Sequence, residues 1–466
     1  MKFTPKEHQE LGIEHLKTRK AAALFAGMGL GKTTMVLSAL DWLMCDGAAR
    51  GILIVAPLRV AVLTWPDEVA KWDEFNWLRV ANLRTEKGKQ DWVKGTADVF
   101  VINYEALPKF SEQFIKGVRS TAMPVDTVLF DEIDNAKNPG SKRINAFRKY
   151  APKFRRRWGM TGTPSPNSRQ DVFAQIRLLD DGESWKCPAN PNGNAFGLWK
   201  KQHFQVSNPG SDYPKYEIRP GSEQAIEEAI SHLALVLRSE DWLHIPPVIT
   251  EDIPVTLPAE GRKFYKKLEK ELLVTLEDES EVVAITAAVL AGKLSQATGG
   301  AVYTTEGEDG TPKRVETLHR AKLDALRALQ RREGAPLLVA CQFRHEISRI
   351  LEDFPEAELF SLDNVDKWNR GEIPILVAHP KSISHGLNLQ AGGSRVVWFT
   401  LGHARGLYDQ FNARLARQGQ EHETKIFRLI CPGTIDDAIA ENLRHKAQDQ
   451  SDFLAVLKNL KRLAAA

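Results

Sequence analysis

Cysteine is scarce in this 466-residue chain: Cys45, Cys187, Cys341 and Cys431 are the four present, and no two of them form a CxxC pair. That argues against a disulfide framework or a zinc site and for reduced thiols. No apolar run is long enough to span a bilayer. The opening MKFTPKEHQELG has neither an apolar core segment nor a cleavage site, so it does not read as a secretory signal, and a soluble cytoplasmic protein with no membrane partner is expected. A large excess of one charge is also missing, since 63 Lys and Arg against 60 Asp and Glu leave a formal net charge of +3. Such a balance does not by itself argue for nucleic acid. Local clusters such as Lys153–Arg157 and Arg331–Arg332 suit solvated faces equally well.

What is present is a rhythm. Hydrophobic residues make up 42% of the chain, enough for real cores, and the length suggests about two to four domains of roughly 100–200 residues. Over residues 1–180, the short apolar runs Ala21–Phe25, Ile52–Val55, Val99–Ile102 and Val128–Phe130 alternate with helix-like stretches, which reads as βα units building a parallel sheet. Residues 181–320 lose that rhythm. They hold Pro/Asn/Gly-rich loops at Cys187–Gly197 and Ser207–Gly221, helical patterns at Gln224–Leu237 and Glu260–Leu276, and a loop at Glu306–Pro312. Residues 321–466 return to it with Leu337–Ala340, Ile375–Ala378, Val396–Phe399 and Ile426–Ile430, then a long amphipathic stretch from Thr434 to Leu463. The expectation is two α/β lobes flanking a mostly helical insertion. Trp42, Trp65, Trp72, Trp77 and Trp92 cluster in the first lobe, where core packing is favoured over a base-stacking platform.

Immediately after Ala21–Phe25 comes Ala26-Gly-Met-Gly-Leu-Gly-Lys-Thr33, followed by a helix-like stretch from Thr34 to Leu43. Strand, glycines, then Gly31-Lys32-Thr33 make a phosphate-binding loop. Gly27, Gly29 and Gly31 let backbone N–H groups wrap a phosphate, and the helix N-terminus adds positive potential. Lys32 reaches the β- and γ-phosphates, and the Thr33 hydroxyl holds Mg²⁺. About a hundred residues later, the buried-strand pattern Val125–Phe130 ends in Asp131-Glu132-Ile133-Asp134. Ligands of open α/β sheets bind outside the carboxyl ends of strands. At that end Asp131 supports Mg²⁺ and Glu132 polarises an attacking water.

With these motifs placed, nearly the whole chain resembles the Swi/Snf branch of the superfamily-two helicases. Gly27–Thr33 is similar to that family's first motif, and Pro5-Lys-Glu-His-Gln9 resembles its adenine-reading glutamine motif, with Gln9 in the key place. Ile54–Leu58 with Trp65 and Lys71-Trp72, and then Val101–Glu105, resemble strand-contacting motifs. Asp131-Glu132 is the acidic box, and Met160–Pro164 followed by Asn167 is the coupling motif. Leu237-Arg238 and Asp241 followed by Pro246-Pro247 resemble the lobe-linking segment, with Ser239 where the family usually has a second arginine. In the second lobe, Val339–Phe343 and His385–Leu389 resemble the fourth and fifth motifs. Gln410-(x)3-Arg414-(x)2-Arg417-x-Gly419-Gln420 reproduces the spacing of the sixth.

The resemblance implies two RecA-like lobes and a DNA-dependent ATPase that uses ATP and Mg²⁺. It implies movement along double-stranded DNA, held mainly through phosphates and so independent of sequence. It places Gln9, Thr34 and Gly386 with the loop residues at the nucleotide. Gln410, Arg414 and Arg417 are expected with Glu132 in catalysis, the arginines projecting from one helix face as fingers across a cleft. Two alternatives stand beside it: a duplex-unwinding DNA or RNA helicase of a neighbouring branch, and a nucleotide-gated clamp without turnover. Compact members of the family occur in bacteria and their viruses, so a prokaryotic or phage origin is expected.

Overall fold

The computed structural model describes residues 1–162, 164, 168–186, 195–207, 216–243, 245–275, 281–306, 312–383 and 387–444. The chain divides into two compact units, Met1–Leu243 and His244–Ala466. Among the described residues, no helix is long and apolar enough to cross a membrane.

The apolar runs of the first unit become strands: β1 (Ala21–Ala26), β2 (Ile52–Ala56), β3 (Val80–Asn82), β4 (Val99–Asn103), β5 (Thr127–Asp131) and β6 (Arg156–Thr161). Two more, β7 (Phe204–Val206) and β8 (Tyr216–Ile218), form a small antiparallel hairpin, and β9 (Ala234–Leu237) completes the main sheet. The order is β3-β4-β2-β5-β6-β1-β9, and the pairs are parallel. Every residue of β2, β4 and β5 is buried. A parallel sheet covered on both faces demands such continuous apolar strands. Helices α1 (Glu7–Thr18) and α2 (Lys32–Cys45) flank β1 in sequence.

One expectation for this unit fails. Gln224–Leu237 is not one helix: the helix spans Ser222–Ile230, and Ala234-Leu-Val-Leu237 is β9, paired in parallel with β1. A four-residue apolar run fits either state by itself. The open edge of β1 decides, giving the segment a ladder that starts with the Ala23 N–H on the Leu233 carbonyl at 2.7 Å. The tryptophans also divide. Trp65 and Trp92 are buried, whereas Trp42 and Trp77 are 47% and 46% exposed, so core packing does not hold for those two.

The second unit repeats the plan with β10 (Val248–Pro254), the antiparallel hairpin β11 (Ala301–Glu306) and β12 (Pro312–Thr317), then β13 (Leu337–Ala340), β14 (Ala357–Leu359), β15 (Ile375–Ala378), β16 (Arg395–Trp398) and β17 (Thr424–Ile430). Its parallel sheet runs β10-β17-β16-β13-β15-β14. The segment 181–320 is thus shared. Helices Ala195–His203 and Ser222–Ile230 with β7–β9 lie in the first unit. Strand β10 and helices Ala259–Thr275 and Glu281–Gly299 lie in the second.

A buried polar knot fastens this helical pair to the helices Ala321–Glu333 and Ile435–Arg444 of the second unit. The Lys322 ammonium meets Asp436 at 2.8 Å with both side chains fully buried. The Thr298 hydroxyl donates to the same carboxylate at 2.9 Å, and the Tyr265 hydroxyl accepts the Ile435 N–H at 2.6 Å. Burial alone would lower the pKa of Lys322, but the Asp436 charge and hydrogen bond, together with Cys431 and Glu346, outweigh it and raise the pKa, favouring the charged ammonium.

Candidate active site

Sheet order brings the sequence motifs of the first unit together. Strands β1, β6 and β5 are neighbours, with Phe25 opposite Thr161 and Met160 opposite Asp131. Their carboxyl ends therefore carry the Gly-rich loop, Thr161 and the acidic box side by side. With strands roughly 4.8 Å apart, loop and box are separated by about 10 Å.

The loop turns at Gly29 and Gly31, whose φ values of 84° and 80° lie in the left-handed region that glycine tolerates. Gly31 is also the N-cap of α2, so the helix begins at Lys32 and its N-terminus faces the loop. The Lys32 ammonium donates to the Ala26 carbonyl at 2.9 Å, across the mouth of the loop. The Thr34 hydroxyl donates to the Gly31 carbonyl at 2.8 Å. The Gln9 amide donates to the Leu30 carbonyl at 3.3 Å, His8 Nε2 lies 3.2 Å from the same oxygen, and Gln9 Oε1 accepts the Lys6 N–H at 2.9 Å. A Cβ on Gly31 would come within 2.3 Å of the Gln9 amide, so the glutamine is pressed against the loop.

Asp131 ends β5 and is 4% exposed. Its Oδ2 accepts the Trp65 indole N–H at 3.0 Å, and its carbonyl accepts the Tyr104 hydroxyl at 2.9 Å. Burial, reinforced by the charge of Glu132, pushes its carboxyl up to about 7, with the Trp65 hydrogen bond and Lys32 pulling the other way. Asp134 is likewise pushed up to about 7 by burial and by Glu132. Glu132 sits in the left-handed region at φ 50°, an uncommon place for a side-chain-bearing residue. The Thr161 hydroxyl lies 3.1 Å from Glu132 Oε2 and 3.3 Å from Asp134 Oδ1.

This donor set fits a magnesium nucleotide. Loop amides, Lys32 and a helix N-terminus suit phosphates. Thr33 supplies a hydroxyl, and Asp131 is a buried carboxylate short of counter-charge, as a divalent cation requires. Sequence reasoning passed over His8 and Asp134 and assigned Trp65 and Tyr104 no part in holding Asp131. The only signal for Asp134 was its place in the acidic run.

In the second unit, Gln410 lies on the helix Arg405–Asn412. Arg414 and Arg417 do not share a helix face as expected, because the helix ends at Asn412 and both lie in the turns that follow. They converge nonetheless, held by carbonyls rather than by helical spacing. Arg414 Nη1 and Arg417 Nη1 both donate to the Leu387 carbonyl, at 3.2 and 2.9 Å, and Arg414 Nε donates to the Gln410 carbonyl at 3.0 Å. The Gln420 amide donates to the Gly393 carbonyl at 2.9 Å and ties the turn to the loop that leads into β16. Thr163, Asn167 and Gly386 lie outside the described residues.

The SNF2-related domain matches residues 8–297. The p41 protein of Acyrthosiphon pisum secondary endosymbiont phage 1 is 33% identical over 98% of this chain and 99% of its own length. An uncharacterized ATP-dependent helicase of Mycoplasma pneumoniae is 23% identical over 92% of this chain, which spans 40% of that protein. The DNA repair and recombination protein RAD54-like of Danio rerio is 23% identical over 90% of this chain and 62% of its own length. Among solved structures, the Sulfolobus solfataricus SWI2/SNF2 ATPase core in complex with dsDNA aligns over 100% of this chain and 96% of its own, with a TM-score of 0.44 and 18% identity.

Proposed function

Because the chain belongs to the SNF2-related family, we propose that it hydrolyses ATP and uses the cycle to move along, or remodel, double-stranded DNA. One observation carries this reading: three adjacent parallel strands deliver Lys32, Thr161 and the Asp131–Glu132 pair to one edge of a single sheet. Phosphoryl transfer asks of a protein mostly positioning and charge stabilisation, and this edge supplies both.

Loop amides and Lys32 bind and orient the phosphates. Thr33 and Asp131 would hold Mg²⁺, which supplies neutralisation of phosphate charge when bound. Glu132 orients the attacking water, and Thr161, hydrogen-bonded to it, links that carboxylate to the end of β6. Trp65 and Tyr104 fix Asp131 from both its side chain and its carbonyl. Gln9, Gly27, Gly29, Gly31 and Thr34 shape the nucleotide end of the site, and Gly386 is assigned to the same ligand. Arg414 and Arg417, with Gln410, stabilise charge developing on the transferred phosphoryl group. DNA is held through its phosphates, independent of sequence. The relatives' names support this reading, through an ATP-dependent helicase and a DNA repair and recombination protein. The phage relative supports a place in the cytoplasm of a bacterial cell.

The test is ATP turnover without nucleic acid and with duplex DNA, single-stranded DNA or RNA, alongside triplex displacement. Duplex DNA is expected to stimulate most, and DNA affinity should fall steeply with salt. Stimulation by RNA alone, or strand separation without triplex displacement, would move the chain to a neighbouring helicase branch. Nucleotide binding without turnover under every condition would make it a clamp.

A further inference from the structure

The Gly-rich loop is gripped on a second side by a segment far away in sequence. Strand β9 lies against β1, and the chain runs on from Leu237 through Arg238 into the short helix Ser239–Trp242. At that point the Gly27 N–H donates to the Leu237 carbonyl at 2.9 Å, and the Ser239 hydroxyl donates to the Met28 carbonyl at 2.9 Å. The fit is close: a Cβ on Gly27 would lie 2.2 Å from Ser239 Oγ and 3.0 Å from Ser239 N. Trp242, one turn on, packs its ring against His8 at 5.5 Å, and His8 in turn lies on the Leu30 carbonyl. The grip from Leu237–Trp242 and the grip from α1 therefore meet behind the loop.

The consequence follows from peptide geometry. In a planar trans peptide, the carbonyl and the next residue's N–H point in opposite directions. Holding the Met28 carbonyl towards Ser239 turns the Gly29 N–H the other way. Holding the Leu30 carbonyl towards Gln9 and His8 does the same for the Gly31 N–H. Glycine has the widest backbone freedom of any residue, so without outside donors these peptides would sample several orientations. The Gly27 N–H is already used by Leu237, which leaves phosphate binding to the later amides. Among the described residues, none accepts from the Gly29 or Gly31 N–H.

We propose that Ser239 is a positioning residue for the nucleotide: its hydroxyl presets the Met28–Gly29 peptide so that the Gly29 N–H is aimed at phosphate before ligand arrives. This rests on the ATPase reading above and adds a residue to it. Preorganisation lowers the cost of binding. It acts alike on the bound ground state and on the transition state, so its loss should weaken binding without slowing chemistry at saturation.

The experiment measures the affinity of the full chain for a fluorescent ADP analogue with Mg²⁺, together with KM for ATP, kcat and the melting temperature without nucleotide. The proteins are the wild type, Ser239→Ala and Ser239→Thr. Ser239→Ala should raise Kd and KM together by about 3- to 10-fold, the weight of one ordinary hydrogen bond, with kcat and melting temperature unchanged. Ser239→Thr keeps the hydroxyl and should restore most of the affinity. Unchanged Kd in Ser239→Ala would overturn the proposal and leave the ATPase reading standing. A lowered melting temperature with unchanged Kd, or a Kd loss that threonine does not repair, would make Ser239 a structural cap of its own helix and also overturn it. A wild type that binds no nucleotide would overturn both readings, and that arm separates the two failures.

Discussion

The Trp65 indole donates to Asp131 Oδ2 at 3.0 Å, and both residues are buried. A tryptophan from the start of the helix Trp65–Lys71 thus orients a carboxylate at the end of a strand 66 residues later. Groups that orient a metal ligand from behind are worth about 10- to 100-fold in metal affinity. Trp65→Phe keeps the bulk and removes the donor. It should raise the Mg²⁺ concentration for half-maximal ATPase by about 10-fold, with a near-normal rate at saturating Mg²⁺. A magnesium titration at saturating ATP checks this, and an unchanged midpoint would mean that the Trp65 hydrogen bond does not tune metal binding at Asp131.

Lys32→Ala should abolish hydrolysis without unfolding the chain. Its ammonium makes one hydrogen bond, to the Ala26 carbonyl, at a part-buried loop site, and that is little for the fold to lose. Circular dichroism melts beside turnover decide the matter. A folded variant with normal turnover would refute the ATPase assignment.

Glu132→Gln keeps the shape of the side chain and removes its charge. Binding of ATP with Mg²⁺ should survive, and turnover should fall by at least about 100-fold, the usual weight of a positioned acid–base group. The stalled variant should also stay longer on duplex DNA in a dissociation assay. Hydrolysis at the wild-type rate would mean another group orients the water.

Arg417→Ala should leave nucleotide affinity largely intact, since the loop, Lys32 and the acidic box are untouched. Hydrolysis should drop by about 1,000-fold or more if the guanidinium meets transition-state charge. Arg417→Lys should recover little, because a point charge cannot copy a planar fork. Lost affinity with preserved kcat would instead assign Arg417 to the ground state.

Lys322→Ala leaves Asp436 buried without its counter-ion. Removing one partner of a buried pair costs about 3–5 kcal/mol, so the second unit should melt at markedly lower temperature or denaturant. Asp436→Asn should do comparable harm, because it leaves the fully buried Lys322 ammonium without its counter-charge even though the amide can still receive the Thr298 hydroxyl. Urea unfolding of the three proteins tests this.

Much of this was legible in the sequence because parallel strands must be apolar throughout. The runs at Ala21, Ile52, Val99, Val128, Leu337, Ile375, Val396 and Ile426 all became strands. The Gly-rich loop was legible because its chemistry is local: glycines, lysine and a helix start follow one another. What the sequence hid was set by partners far apart. Trp65 and Asp131 meet only once β2 and β5 are neighbours, and Ser239 reaches Met28 only through the pairing of β9 with β1. The arginines were placed on a helix face because i and i+3 suit one. Their common direction comes instead from a shared carbonyl, a target that spacing does not reveal.

Strand β9 also dictates how this protein can be dissected. In the sheet, β1 lies between β6 and β9, so the strand that leads into the Gly-rich loop depends on residues 234–237 for one whole side of its ladder. A nucleotide-binding fragment cut at residue 180 would present β1 as a raw edge, with unpaired N–H and C=O groups inviting aggregation. It would also lose the Leu237 carbonyl that takes the Gly27 N–H. A fragment carried through Leu243 keeps its sheet closed on that side. The choice of stop codon, more than solubility tags or temperature, should separate an insoluble half-protein from one that holds nucleotide.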